Sequence, residues 1–375
     1  MFKVRRDLDR IIERHKAFTE CREVDRPLLC IAVMGRGYAR AYENTFKNIP
    51  SKRAVEPDDL VMEDFLKDID NFINWNEDAG GEYFQPVSPL FYIPWTEAII
   101  GCPVFAGKDS FYAEPFIDDW SEFTGDVDLS MNNKWLKKLL EMTEGLVDYL
   151  DGRYPVGSST HFRGPADMMA AALGQKRFPL ELYDNPDKLK KMSNVYARAF
   201  IDIAKMVNDI ASRSSFRGYV VNNYGIWTEE VCQYFQEDAN AFLSPRFYRD
   251  IILEDHLLID SSFPSTLYHI HPVSLFTVDE LIKFPNLRII EINREPEAIG
   301  PSTEELIPSF KKIQESGKAA IINYTDIDFS PEFIEKEVKV VKDDLSCRGL
   351  CIYICALDPE DGREKLKAAR KAIDI

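Results

Sequence analysis

Thr266-Leu267-Tyr268-His269-Ile270-His271-Pro272 reads as a short strand running out into a loop, and it carries two of the chain's five histidines. Alternate residues of a strand point to one face, so His269 and His271 project together while Tyr268 and Ile270 pack on the other side. Two imidazoles aimed at one place can hold a metal, bind an anion or relay protons. Read alone, such a pair is more often two separately hydrogen-bonded histidines. What it does depends on where its strand stands among the others.

Working outward, the chain alternates strand and helix signals. Downstream lie short β-like runs at Leu287 to Ile292, Ala319 to Asn323 and Leu350 to Ile354, and upstream Tyr219-Val220-Val221-Asn222. Pro27-Leu28-Leu29-Cys30-Ile31-Ala32-Val33-Met34-Gly35 is a near-continuous apolar run, the form of a strand buried on both faces. Two further strands are expected near 84–88 and 155–160. Helical spacing marks residues 3–19, 58–74 and 133–150. Asn185-Pro186, Ser244-Pro245, Ser330-Pro331 and Asp358-Pro359 each set a capping side chain before a proline at the first helical position. Thr277 with Glu280, and Ser302 with Glu305, have the spacing of capping boxes. The segment 81–128, rich in Pro, Gly and aromatics, is expected to be largely irregular with one hairpin.

Eight strands, most of them followed by a helix, fit an α/β chain folded as a single (β/α)8 TIM barrel. Residues 1–26 would form an N-terminal helical extension and residues 27–375 the barrel. A doubly wound open sheet is the alternative. There is no internal repeat, low-complexity tract or long linker.

Composition narrows the function classes. A net charge of −17 argues against nucleic acid or an anionic membrane surface as a partner, and no run approaches the ~18 apolar residues of a membrane span. Hydrophobic content of 45% and aromatic content of 12% belong to a folded globular protein. Seven cysteines at irregular positions, behind an N-terminus without an apolar leader pattern, point to reduced thiols in the cytoplasm.

A barrel makes a demand on polarity, because inward side chains near the C-terminal strand ends should be polar where a site exists. Beside His269 and His271, alternation puts Glu291 and Asn293 inward on the sixth strand, and Tyr353 and Cys355 inward on the eighth. The fourth strand is expected to end in Asn222-Asn223-Tyr224 and the seventh in Asn323-Tyr324-Thr325-Asp326. So many polar strand ends in succession point to a site.

Three blocks carry a resemblance. Phe162-Arg163-Gly164-Pro165-Ala166-Asp167 through Leu173-Gly174 and Tyr183-Asp184-Asn185-Pro186-Asp187 is the first. The second runs from Tyr224-Gly225-Ile226-Trp227 through Glu237-Asp238-Ala239 to Leu243-Ser244-Pro245, and the third is Tyr268-His269-Ile270-His271-Pro272. In order and spacing, from about residue 27 to the C-terminus, they resemble the uroporphyrinogen decarboxylase superfamily, TIM barrels that include corrinoid-dependent methyltransferases. The departures separate the branches. Where the decarboxylases have an aspartate this chain reads Tyr83-Phe84-Gln85-Pro86-Val87, and Cys355-Ala356-Leu357-Asp358-Pro359 replaces their glycine-histidine-glycine loop. Arg36 and Arg40 keep two arginines in a loop similar to theirs.

The methyltransferase branch resembles this chain more closely in its chemistry, having zinc on an H-x-C strand end and a cysteine of the last strand. By position that implies zinc on His269, His271 and Cys355, with histidine in place of the middle cysteine. Mixed N/S ligation with an open position suits a catalytic ion that activates a thiol. Glu291 would orient a ligand or serve as a fourth, and Tyr324 would supply a hydrogen bond or proton. Around them His161, Arg163, Asn222, Tyr224, Trp227 and Asn293 are the candidate substrate-binding residues, Arg163 for an anionic group. The implied reaction moves a methyl group between a small methylated compound or thiol and a corrinoid carried by a partner protein, and the resemblance implies a homodimer. A metal-free decarboxylase acting on a tetrapyrrole or other polycarboxylate is the different-class reading.

Overall fold

The structure, a computed structural model, describes residues 2–3, 7–35, 42–108, 110–296 and 298–374. Arg36 and Arg40, named above for their loop, lie outside the described residues.

Six parallel strands make one continuous ladder. In chain order they are β1 (Leu28–Val33), β6 (Cys232–Gln236), β7 (Ser265–Ile270), β8 (Leu287–Arg294), β9 (Ala319–Tyr324) and β10 (Leu350–Ala356), and they stand in the order β1-β10-β9-β8-β7-β6. Two antiparallel hairpins lie outside this ladder. They pair β2 (Val104–Ala106) with β3 (Phe111–Ala113), and β4 (Tyr219–Val221) with β5 (Ile226–Thr228). The first is the hairpin expected within the irregular segment.

The ring closes through two extended segments. Glu82 N–H donates to Leu29 O at 2.7 Å, setting residues 82–88 beside β1, and Gly157 N–H donates to Val87 O at 2.8 Å. Ser158 Oγ donates to Cys232 O, and Arg163 forms a parallel bridge with Gln236, which brings residues 156–163 against β6. The wall therefore has eight members, and the fold is the α/β barrel expected. Helices cover it, among them Met62–Ala79, Lys134–Leu150, Pro186–Ala211, Thr303–Glu315, Pro331–Asp344 and Pro359–Ala372.

The occupant of the fourth position differs from the expectation. Tyr219 to Asn222 was the expected strand, but β4 turns back on β5 through Asn223 and Gly225, both at positive φ. β6 lies against β7 instead, with Gln236 opposite His269. Its Cys-Gln-Tyr-Phe-Gln sequence is short, carries two glutamines and lacks the Val, Ile and Leu that mark β1, β9 and β10, which hides it.

Helix starts follow the sequence closely. Ser330 accepts from Phe333 N–H, Asp358 from Glu360 and Asp361, and Ser302 with Glu305 forms the expected box. Thr277 and Asn185 differ: the Thr277 hydroxyl donates to Ser274 O and makes no box with Glu280, and the Asn185 side chain makes no cap hydrogen bond to its helix. The N-terminal helix Leu8–Thr19 packs near the N-terminal ends of the wall. There His15 Nε2 lies 2.6 Å from Glu82 O, and its Nδ1 accepts from Trp227 N–H at 2.9 Å.

Strand parity separates two cores. Ile290, Ile292, Ile322, Tyr324, Ile352 and Ile354 pack outward beneath the helices, while Ile289, Ile321, Cys351, Tyr353 and Cys355 face the barrel interior. Among the described residues, no helix is long and apolar enough to cross a membrane.

Candidate functional site

A cavity of about 540 Å³ opens at the C-terminal strand ends, with His269, His271 and Asp238 among its lining residues. Asp238 stands two residues past β6, His269 is the last but one residue of β7, and His271 comes just past that strand's end. One side-chain atom from each of the three lies within 4.8 Å of the others. Asp238 Oδ1 is 3.4 Å from His271 Nε2 and 4.0 Å from His269 Nε2.

The opposite ring nitrogens are engaged. His269 Nδ1 is hydrogen-bonded to the Glu291 carboxylate, directly across the β7–β8 ladder, and Tyr224 Oη is 2.8 Å from the same nitrogen. His271 Nδ1 is 2.6 Å from Glu295 Oε1. A carboxylate on Nδ1 fixes the tautomer that protonates Nδ1 and leaves Nε2 a free donor pair, the usual support of a metal-ligating histidine. Both histidines have it, and both turn Nε2 toward Asp238. Ligand atoms ~2.0–2.2 Å from a shared tetrahedral ion sit roughly 3.4 Å apart. The Asp238–His271 pair has that spacing, and the Asp238–His269 pair is wider at 4.0 Å. The N/N/O donor set suits a divalent ion with one position open.

Without an ion, the charges gathered here shift the protonation of Asp238 and His271. Burial alone would raise the Asp238 carboxyl, but the His271 hydrogen bond and the charges of His269, His271 and Arg163 hold it well below the usual carboxylate range. Burial works against a charged His271, yet Asp238 and Glu295 together carry it up to about 9. Without an ion, a proton on His271 offsets the negative charge gathered here.

The residues expected at the site divide three ways. His269, His271, His161, Arg163, Asn222, Tyr224, Asn293 and Cys355 all line the cavity. Glu291 is fully buried behind His269 and hydrogen-bonded to its Nδ1. Cys355 faces inward, but its thiol is outside the group of converging donors; β10 stands three strands round the ring from β7. Burial pushes that thiol up to about 12. Asp238, not Cys355, is the third member of the converging group.

Tyr324 and Trp227 do not reach the cavity. Tyr324 lies one residue from the inward Asn323, so parity turns it outward, and its hydroxyl meets Thr303 Oγ1 at 3.4 Å under the helices. Trp227 is fully buried on β5, its indole N–H donating to Arg217 O at 2.9 Å beside the N-terminal helix.

On the far wall Arg163 pairs with the fully buried Glu97 at 3.1 Å. His161 packs edge-on to Phe91, with ring centroids 4.4 Å apart, and its Nδ1 lies 3.1 Å from Asn223 Nδ2. Burial and then the Arg163 charge push His161 down to about 3, so it is a neutral ring at neutral pH. Sequence reading missed Asp238, Glu295 and Glu97. Asp238 and Glu295 each stand just past a barrel strand's C-terminal end, and that is the signal that could have found them.

No known family model matches the chain, and no curated protein does. Among solved structures, a methyltransferase from Methanosarcina mazei is similar at 16% identity and a TM-score of 0.65, covering 97% of this chain and 98% of that one. The mannanase BCman of Bacillus subtilis aligns at 10% identity and a TM-score of 0.44, over 98% of this chain and 91% of its own. The first likeness supports the barrel fold.

Proposed function

We propose that this chain is a methyltransferase assisted by a divalent metal, zinc foremost, held by Asp238, His269 and His271. The reading rests on one observation above all: two imidazole Nε2 atoms converge on one carboxylate oxygen while each Nδ1 is held by a glutamate. The Methanosarcina mazei methyltransferase of similar fold and the resemblance of the three sequence blocks support the choice of reaction. The methyl group would pass between a small methylated compound or thiol and a corrinoid carried by a partner protein. A bound ion would supply Lewis acidity and stabilise a ligating thiolate.

The chain's own residues would do the rest. Glu291 and Tyr224 hold His269, and Glu295 holds His271, so neither ring turns as substrate enters. Arg163 offers a cation to an anionic end of the substrate, and neutral His161 adds a hydrogen-bonding ring beside it. Phe91 and Tyr92 line the same cavity and offer it aromatic surface. The test is to incubate the zinc-loaded chain with methylcobalamin and a panel of thiols while following the corrin absorbance. Demethylation that needs both the metal and His269 is expected. No transfer, with carbon dioxide released from a polycarboxylate by the metal-free chain, would replace this reading with the decarboxylase.

A further inference from the structure

Asp238 is the least supported of the three donors by its own packing. Its side chain keeps 45% of its surface open, and it opens the short 3-10 turn Asp238–Phe242 in the connection after β6. The histidines have glutamates behind them; among the described residues Asp238 has no comparable side-chain support. A donor in such a connection holds its geometry only if the backbone on both sides is fixed.

Both neighbours are fixed, by the start of one helix. The helix Pro165–Leu173 begins at Gly164 and has Asp167 in its first turn. Glu237, just before Asp238, is buried, and its Oε2 accepts the Asp167 N–H at 2.9 Å. Its Oε1 lies 2.9 Å from His256 Nε2. Ala239, just after Asp238, donates its N–H to Asp167 Oδ1 at 2.7 Å. Each carboxylate thus takes an amide from the other's segment, with Asp238 between the two anchor points.

The fit around the clamp is close. A Cβ at Gly164 would lie 2.2 Å from Glu237 Oε1, so only glycine lets the helix start come so near. Gly164 N–H also donates to Gln236 O at 2.9 Å, which ties the same turn to the end of β6. Asp167 is buried, and its second oxygen has no hydrogen-bond partner among the described residues. A carboxylate in that setting is unfavourable for folding, so a role in placing its neighbour accounts for it better than a role in stability.

We infer that Asp167 is a positioning residue for the metal centre, fixing the backbone at Ala239 so that Asp238 meets the two histidines. The inference rests on the metal reading above. Its counterparts are Glu291 behind His269 and Glu295 behind His271, which gives each donor one carboxylate in support. Loss of such a support commonly weakens metal binding by ~10–100-fold.

The test is Co2+ titration of the full chain, read by calorimetry and by the intensity of the cobalt visible bands. Asp167→Ala, and Asp167→Ser should the first fail to fold, remove the oxygen that reaches Ala239. Either should weaken Co2+ binding by ~10–100-fold and dim the bands as a protein ligand gives way to water, with far-UV dichroism unchanged. Asp167→Asn keeps an oxygen at that position and should restore both readings to near wild type. Wild-type affinity and spectrum in the Ala or Ser variant, or loss of both in Asp167→Asn, overturns the inference. A wild-type chain that binds no cobalt overturns the metal reading itself and the clamp with it.

Discussion

Two arcs of the barrel wall are built differently. From β6 through β7, β8, β9 and β10 to β1 the wall is an unbroken parallel ladder, whereas residues 82–88 and 156–163 join it by single bridges and hydrogen bonds. The ladder's strand ends carry His269 and Glu291, and the loops leaving them carry Asp238, His271 and Glu295. The looser arc carries Arg163, His161 and Ser88, with the aromatic rings of Phe91 and Tyr92 beside it. Metal donors tolerate little displacement, and a ladder with registered neighbours supplies that rigidity. Substrate recognition belongs on segments that vary without unfolding the barrel.

The comparison breaks most visibly at the donors. His269→Ala should abolish metal-dependent turnover while leaving the far-UV dichroism of the barrel intact. Arg163→Ala, on the other arc, should leave metal content unchanged and raise KM for an anionic substrate. If the two variants lose metal alike, the division between the arcs is wrong.

Away from the mouth, Trp227→Ala should cost ~3–5 kcal/mol of stability, because it empties a fully buried indole site, with metal affinity unaffected. Denaturant unfolding beside metal titration checks it; altered metal affinity would return Trp227 to the site.

Glu295→Gln should weaken metal binding by ~10–100-fold, since the amide no longer fixes the His271 tautomer as a carboxylate does. Competition against a chromophoric chelator measures it. An unchanged affinity would mean that His271 is oriented by its backbone alone.

The smallest expected effect is in the metal-free protein. His271 is raised to about 9 in the fold from about 6.5 in an unfolded chain. A raised folded value adds stability in full below about pH 6.5, and that contribution fades as pH climbs through 9. The stability difference between wild type and His271→Gln should therefore shrink between those limits, as urea midpoints with chelator would show.

How much of this the sequence disclosed follows from the same division. β1, β9 and β10 read directly as apolar runs, because strands buried on both faces favour continuous Val, Ile and Leu. β7 and β8 read as β-rich runs with polar residues at alternate inward positions. β6 is short, carries two glutamines and did not read so, and β4 took its place because Tyr-Val-Val looks more like a barrel strand than Cys-Gln-Tyr-Phe-Gln. The two histidines were legible because i and i+2 share a face on one strand. Asp238 was not, since its nearness to them arises from β6 lying beside β7, a pairing across the chain. Cys355 had the right parity and the wrong distance, and Tyr324 missed the cavity by a single residue of register.

In the proposed donor set Asp238, rather than Cys355, stands beside His269 and His271. Zinc content of the purified full chain and of Asp238→Ala and Cys355→Ala, measured by atomic emission after zinc-replete expression, tests that set most directly. One zinc per chain in wild type and in Cys355→Ala, with none in Asp238→Ala, is the expected result. Zinc kept by Asp238→Ala and lost from Cys355→Ala, or no zinc in the wild type, would contradict it.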